Sequence, residues 1–212
     1  MLEKYNDKEL KFKNLTEEEK KSRGILGRLY GPCASTIKAT RNGRYYSNEL
    51  WEKVFTNAIT KELLEKGGIP GELDHPSDRL ETDSSKIAIM MPEAPKKDEN
   101  GELIGYWDII DTPCGRIAYA LAKYGFKFGI SSRGNGETEQ DLDGNESVNP
   151  DTYDFSAFDL VLIPACEDAR LSMVTEGLQK DNLKSYLREE LDKATPQDKK
   201  IMEQSLKDLK ID

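Results

Sequence analysis

His75 is the only histidine in the 212 residues, and it is therefore the only imidazole that could act as an acid or a base. It lies in the segment G-E-L-D-H-P at residues 71–76, directly before Pro76. Proline restricts the residue before it to extended or turn geometry, so we expect a fixed backbone at His75. Such a histidine can act as a general base with a pKa near the working pH, but more often it is a hydrogen-bonded loop residue. A single imidazole excludes metal sites that need two or more histidines.

Two adjacent serines, Ser131 and Ser132, form a second candidate for chemistry. They follow a short apolar segment and precede Arg133 and Gly134. A serine at a strand end can act as a nucleophile, with nearby backbone N–H groups free to hold an oxyanion and with Arg133 adding positive charge. An ordinary strand-to-loop transition uses the same residue types. The glycine spacing of this segment matches neither a Walker loop nor a dinucleotide-binding loop, which argues against a phosphate-binding site.

Asp159 is the third candidate, because it interrupts the otherwise apolar segment 155–164. A buried carboxylate is costly unless it is paired or hydrogen-bonded, and orienting a catalytic imidazole would supply that partner. A solvent-facing position on an alternating strand is the alternative. A serine, a histidine and an aspartate in separate segments permit an arrangement of nucleophile, base and orienting acid.

The elements that must position these residues can be outlined from local patterns. We expect one helix over residues 47–66, capped by Ser47, stopped by two glycines and buried along Leu50, Val54, Ala58 and Ile59. A shorter helix is expected at 115–123, and hydrophilic, mobile loops at 92–101 and 137–151. The expected strands cover residues 27–31, 34–40, 86–91, 104–110, 126–131 and 157–163.

The charge distribution divides the chain into an acidic domain and two charged arms. The net charge is −9, and the nearly neutral segments 1–23 and 180–212 leave it to residues 24–179. We expect the arms to be helical or disordered, with a helix indicated by the apolar spacing of residues 183–191. The acidic balance argues against sequence-independent binding of nucleic acid. The absence of an apolar run of about 20 residues and of a signal-peptide core argues against a membrane span or secretion.

The three cysteines, Cys33, Cys114 and Cys166, show no metal-binding or disulfide spacing. We expect them to be buried or half-buried thiols in a reducing compartment. Neither a metal nor a cofactor is expected.

Four segments, taken in order, resemble blocks of the prohead (procapsid maturation) serine proteases of tailed bacteriophages. The resemblance covers roughly residues 29–169, and Ala165 departs from the serine usual at that position. The four segments are T-R-N-G-R-Y-Y at 40–46, G-E-L-D-H-P at 71–76, G-I-S-S-R-G at 129–134, and the stretch 158–165 that holds Asp159.

The family is related in fold to the herpesvirus assemblin proteases. The resemblance therefore implies a mixed α and β fold with a mainly antiparallel, β-barrel-type core flanked by helices. It implies that His75 is the catalytic histidine and Ser131 the nucleophile, with Ser132 as the competing assignment. The backbone near Arg133 and Gly134, together with the guanidinium, would hold the oxyanion.

The third catalytic residue of the assemblins is a second histidine, which this chain lacks. An acid must fill that role, or the site is a dyad. Asp159 is the expected acid, with Asp74 and Glu72 as the alternatives.

The resemblance implies a serine endopeptidase that cleaves scaffold and major capsid proteins inside the assembling prohead, in the host cytoplasm, and that associates with itself or with the prohead. One branch of the family cuts after Glu in Leu/Ile-x-Glu contexts. The arms carry that pattern at 15–17, 187–189 and 201–203, which suggests trimming of the chain itself. A non-catalytic scaffold or capsid-assembly protein with the same fold is the alternative, and a cytosolic esterase is less favoured because no G-x-S-x-G segment is present.

Overall fold

The computed structural model describes residues 16–140 and 145–174. The chain divides after Met173 into two units, and the elements around the candidate site belong to the first. The helices are α1 (Glu17–Ser22), α2 (Asn48–Thr56), α3 (Ala58–Glu65) and α4 (Pro113–Tyr124), with a 3₁₀ turn at Ser84–Lys86. The strands are β1 (Ile25–Ser35), β2 (Arg44–Tyr45), β3 (Ile69–Glu72), β4 (Ile87–Met91), β5 (Lys96–Lys97), β6 (Glu102–Ile110), β7 (Gly129–Asn135), β8 (Thr138–Gln140), β9 (Glu146–Val148), β10 (Asp154–Val161) and β11 (Ser172–Val174).

The strands of the described residues form three sheets. The largest has the order β11-β1-β6-β4-β3, with β5 also paired to β6, while β7 pairs with β10 and β9 lies between β2 and β8. The pairings β1–β6, β4–β6, β3–β4 and β7–β10 are antiparallel, and β2–β9 is parallel. The mixed, mainly antiparallel character predicted from the sequence is confirmed. The barrel-type core is not confirmed, since these sheets do not close into a barrel.

An aromatic cluster fixes β10 against the rest of the domain. The ring of Phe158 lies 5.6 Å from Trp51 of α2, 5.7 Å from Trp107 of β6 and 5.3 Å from Phe155. Trp51, Trp107 and Phe158 are each at most 2 % exposed. Burial of side chains this large is among the strongest contributions to stability in a core. The cluster therefore holds the strand that carries Asp159, the next residue along the chain.

The helix expected over residues 47–66 is divided in two at Asn57. Asn57 is extended (φ −68°, ψ 156°), its N–H donates to Lys53, and its side chain accepts from the Thr60 N–H at 2.8 Å. It thus ends α2 and begins α3. The break turns Ala58 and Ile59 away from the core, so their predicted burial is wrong.

Other boundaries differ from the expectation in smaller ways. The strands expected at 27–31 and 34–40 are one strand, β1, which ends at Ser35. The segments expected as loops at 92–101 and 137–151 contain the short strands β5, β8 and β9. Ser47 caps α2 as predicted. The burial predicted for the three thiols is confirmed. The expected C-terminal helix lies outside the described residues, as does most of the N-terminal arm.

Candidate active site

His75 and Asp159 meet where the end of β3 runs beside β10. Leu73 forms a parallel bridge with Leu160, and the N–H of Asp74 donates to the Leu160 carbonyl at 2.7 Å. Asp74 has a positive φ of 73°, which turns the chain toward the imidazole position. The Nδ1 of His75 lies 2.8 Å from Oδ2 of Asp159. The imidazole is 33 % exposed and the carboxylate fully buried.

The close approach of the two strands explains the glycine of the G-E-L-D-H-P segment. A Cβ on Gly71 would lie 2.0 Å from the Phe158 carbonyl oxygen and 2.9 Å from a side-chain carbon of Ile89. No side chain fits between these atoms, so β3 can reach β10 only with glycine here. The position of His75 follows from this approach.

Asp159 is held as an anion by three donors besides the imidazole contact. The backbone N–H of Glu72 donates to Oδ1 at 2.8 Å, while Arg133 donates from Nε to Oδ2 at 2.7 Å and from Nη2 to Oδ1 at 3.2 Å. Burial alone would raise the pKa of Asp159, but the hydrogen bonds from His75, Arg133 and the Glu72 backbone together hold it below its ordinary value.

The charge of Asp159 sets the tautomer of the histidine. A carboxylate only accepts hydrogen bonds, so Nδ1 of His75 must carry the proton in this contact. In a neutral imidazole, Nε2 is then the unprotonated nitrogen. That is the nitrogen a general base uses to take a proton from a hydroxyl.

The pairing of β7 with β10 separates the two candidate nucleophiles. Ser131 lies opposite Asp159, and Ser132 lies opposite Phe158. Side chains directly opposite each other in an antiparallel pair point to the same face. Ser131 therefore shares the face of Asp159, and Ser132 shares the face of the aromatic cluster.

The contact of Ser132 agrees with this division. Burial raises the pKa of Tyr153, and a hydrogen bond between its hydroxyl and Ser132 partly offsets that effect. Tyr153 itself packs against Trp51, with ring centroids 6.3 Å apart. Ser132 thus interacts with Tyr153, and it also borders the cleft that holds His75.

Two cavities border the serines. An open cleft of about 640 Å³ is lined by His75, by residues 76–81 and by the backbone or side chains of Ser132, Arg133, Gly134 and Asn135. A pocket of about 30 Å³ is lined by both serines and by residues that include Cys33, Ser35 and Ala165. Within the described part of the chain, no hydrogen bond joins either serine hydroxyl to His75. The structure thus brings His75 and Asp159 into contact and, among the residues it describes, does not join either serine to them by a hydrogen bond.

The guanidinium of Arg133 is directed toward the carboxylate of Asp159. Its side chain is 4 % exposed and donates to Asp159, to the Leu80 carbonyl and to Thr82 Oγ1 at 3.1 Å. The sequence-based expectation gave Arg133 an oxyanion-binding or positioning role. Its contacts are those of a residue that positions Asp159, and the oxyanion-binding role stays a prediction. Backbone N–H groups near Gly134 remain the candidates for that role.

The two alternative acids are not bonded to the imidazole among the described residues. Glu72 is 1 % exposed and accepts from Arg79 at 2.7 and 2.6 Å and from the Asp83 N–H at 2.8 Å. Burial would raise the pKa of Glu72, but its bonds to Arg79 and Asp83 and the charge of Arg133 hold it below its ordinary value. Asp74 is exposed and accepts from the His75 backbone N–H at 3.0 Å.

Sequence reasoning missed the loop residues Arg79, Leu80 and Thr82, which hold Glu72 and Arg133. One signal could have pointed to Arg79: Glu72 stands next to Gly71 in an apolar strand, and a buried acid requires a cation nearby. Across residues 16–140 and 145–174, no cluster of three or more metal-binding side chains occurs. In the same part of the chain, no helix is long and apolar enough to cross a membrane.

Comparisons with known proteins identify the family of the chain. The capsid assembly protease gp21 of bacteriophage T4 has a similar structure, with a TM-score of 0.51 and 25 % sequence identity, over 64 % of this chain and 78 % of that one. No curated protein sequence matches the chain. The sequence model of the family described as prohead core protein serine protease matches residues 10–179. Since that match spans most of the sequence, the chain belongs to the prohead core protein serine protease family.

Proposed function

We propose that the chain is a serine endopeptidase of capsid maturation in which Ser131 is the nucleophile, His75 the general base and Asp159 the residue that orients the imidazole. The observation that carries the proposal is the 2.8 Å contact between His75 Nδ1 and Asp159, with Ser131 opposite Asp159 in the β7–β10 pair. Membership of a serine protease family supports the reaction class.

The residues perform the acylation step in two proton transfers. As Ser131 Oγ attacks the peptide carbonyl, its proton passes to Nε2 of His75, and the buried charge of Asp159 stabilises the imidazolium. The proton then passes to the leaving amine, and the acyl-enzyme forms. Water attacks the acyl group in the same way and restores Ser131. Backbone N–H groups near Gly134 face the developing oxyanion.

The mechanism requires a rearrangement of the site. His75 Nε2 must come within hydrogen-bond distance of Ser131 Oγ when substrate occupies the cleft. Catalytic hydrogen bonds are often long in unliganded enzymes and shorten in the substrate complex, so the mechanism does not require a hydrogen bond between Ser131 and His75 before substrate binds. The partly exposed imidazole has open space beside it in the 640 Å³ cleft.

We assign scaffold and major capsid proteins within the prohead as the substrates, because the structurally similar T4 protein is a capsid assembly protease. The Leu/Ile-x-Glu triplets of the arms make the chain itself a further substrate, through cuts after residues 17, 189 and 203.

A matched pair of variants tests the nucleophile. Ser131→Ala and Ser132→Ala each remove one hydroxyl from neighbouring positions of β7. Purified wild type and both variants are incubated alone and with scaffold and capsid proteins, and new termini are mapped by mass spectrometry. We expect no processing by Ser131→Ala and retained processing by Ser132→Ala. The reverse pattern would make Ser132 the nucleophile, and processing unaffected by either change would refute a serine protease at this site.

A further inference from the structure

A buried row of four charged side chains extends from the candidate site to the wall of the cleft. Asp159 is bonded to Arg133 at 2.7 Å, Arg133 lies 3.4 Å from Glu72, and Glu72 is bonded to Arg79 at 2.6 Å. The exposed fractions of the first three side chains are at most 4 %, and that of Arg79 is 22 %. Only the last member of the row reaches the surface.

The two carboxylates compete for one guanidinium in the middle of this row. Nη2 of Arg133 lies 3.2 Å from Oδ1 of Asp159 and 3.4 Å from Oε1 of Glu72. A buried carboxylate without a cation is costly, so Glu72 alone would attract Arg133. Arg79 removes that demand, because its two Nη groups bind both oxygens of Glu72 in the bidentate geometry that guanidinium favours.

We propose that Arg79 is a positioning residue, which acts through Glu72 and Arg133 to keep the Asp159 carboxylate aimed at His75. The inference rests on the proposed function, since it assigns Asp159 the orienting role. Arg79 makes no hydrogen bond to His75 or Asp159 within the described residues. Its action is therefore indirect.

The loop that carries Arg79 is also a wall of the cleft. Residues 76–81 line the space beside His75. The same loop accepts two hydrogen bonds from Arg133, at the Leu80 carbonyl and at Thr82 Oγ1. A peptide that settles in the cleft and orders this loop would at the same time fix Arg133, which links substrate binding to the geometry of Asp159.

The test is a double-mutant cycle between Arg79 and Glu72. In Arg79→Ala, we expect Arg133 to move toward Glu72, kcat to fall by about 10- to 100-fold as a result of the misplaced orienting acid, and KM to change little. Adding Glu72→Gln to Arg79→Ala removes the competing charge, and we expect kcat to recover at least tenfold relative to Arg79→Ala. Arg79→Lys keeps a charge without the bidentate fork and should lie between the two.

A second readout does not depend on proteolysis. Because His75 is the only histidine, protein without a histidine tag gives one set of imidazole NMR signals. The downfield Nδ1–H proton reports its hydrogen bond to Asp159. We expect that signal in the wild type, its weakening in Arg79→Ala, and its return in the double variant. This measurement separates the inference from the proposed function, since it gives a result even if the two serine variants refute a serine protease at this site.

The matched control is Arg116→Ala. It breaks the exposed ion pair between Arg116 of α4 and Asp111, and it should leave kcat and the imidazole signal unchanged. Three outcomes would overturn the inference. The first is a rise in KM with kcat unchanged, which would mean that Arg79 binds substrate. The second is a double variant no better than Arg79→Ala in kcat and in the imidazole signal. The third is a loss of thermal stability with kcat and the imidazole signal unchanged below the melting temperature.

Discussion

Replacing Asp159 by asparagine tests the orienting role directly. Among the described residues, the hydrogen-bond partners of this carboxylate are all donors: the His75 ring, the Arg133 guanidinium and the Glu72 backbone N–H. An asparagine amide has one oxygen and one NH₂ group, so whichever way the amide turns, its NH₂ group must face one of these donors. If the NH₂ group faces His75, Nδ1 becomes the acceptor and the proton moves to Nε2. The imidazole then cannot take the proton of Ser131.

The expected losses in kcat and in unfolding free energy can be estimated from these contacts. Holding the imidazole in the wrong tautomer costs about 10⁴-fold in kcat in a Ser-His-Asp site. Removing one partner of a buried ion pair costs about 3–5 kcal/mol of unfolding free energy. The charge of Arg133 keeps a second carboxylate, Glu72, at 3.4 Å. We therefore expect the lower end of that range, about 3 kcal/mol.

The assay pairs peptide-cleavage kinetics with equilibrium unfolding in guanidinium chloride. Asp151→Asn is the control, because Asp151 is 80 % exposed and its ion pair is with Lys53. It should change neither kcat nor the unfolding midpoint. A kcat for Asp159→Asn within about tenfold of the wild type would refute the orienting role, since it would lie far from the expected loss of about 10⁴-fold.

Three other perturbations have defined outcomes. Folding lowers the pKa values of Asp159 and Glu72, so the two carboxylates stabilise the folded state at pH values above their ordinary pKa. This stabilisation is lost as the pH falls below about 4. Unfolding midpoints measured between pH 6 and pH 2 should show the loss, and Glu72→Gln should make the midpoint less dependent on pH. Gly71→Ala would force β3 away from the Phe158 carbonyl, and the folded yield and the His75–Asp159 NMR signal should both fall, whereas a normal signal would contradict the close approach. Asn57→Ala should cost about 1 kcal/mol by guanidinium unfolding and leave kcat unchanged, because it removes only the N-cap of α3.

How far the sequence could predict the fold depended on the range of the interactions involved. Ser47 and the periodic segments around β4, β6 and α4 act through neighbours in the chain, and these elements lie close to where the sequence placed them. Asn57 could not be anticipated in the same way. Its side chain favours a helix start, but the apolar spacing of Leu50 and Val54 continues through it, and only the extended ψ at Asn57 divides the helix.

The candidate site shows the same dependence on range. The cost of burying a lone carboxylate correctly indicated that Asp159 needs a partner, and the single histidine left one imidazole to supply it. The direction of Arg133 was not predictable, because its partners come from β10, from Glu72 and from a loop some 50 residues earlier. Arg79 was missed for the same reason, since its partner Glu72 is buried by strands that are distant in sequence.

The choice between the two serines depends on one extra residue in β10. Phe155 pairs with Gly134 and Ala157 with Arg133, so Ser156 is an unpaired bulge residue. Because side chains alternate along a strand, a one-residue change of register exchanges the two faces. The aromatic cluster fixes the face of Phe158, and hence that of Asp159, on β10. Without the bulge, continuous pairing from Phe155 would set Ser131 opposite Phe158 and turn Ser132 toward the face of Asp159. The bulge at Ser156 therefore sets Ser131 opposite Asp159, and the proposal that Ser131 is the nucleophile draws on this irregularity in β10 as well as on the order of the two serines in the sequence.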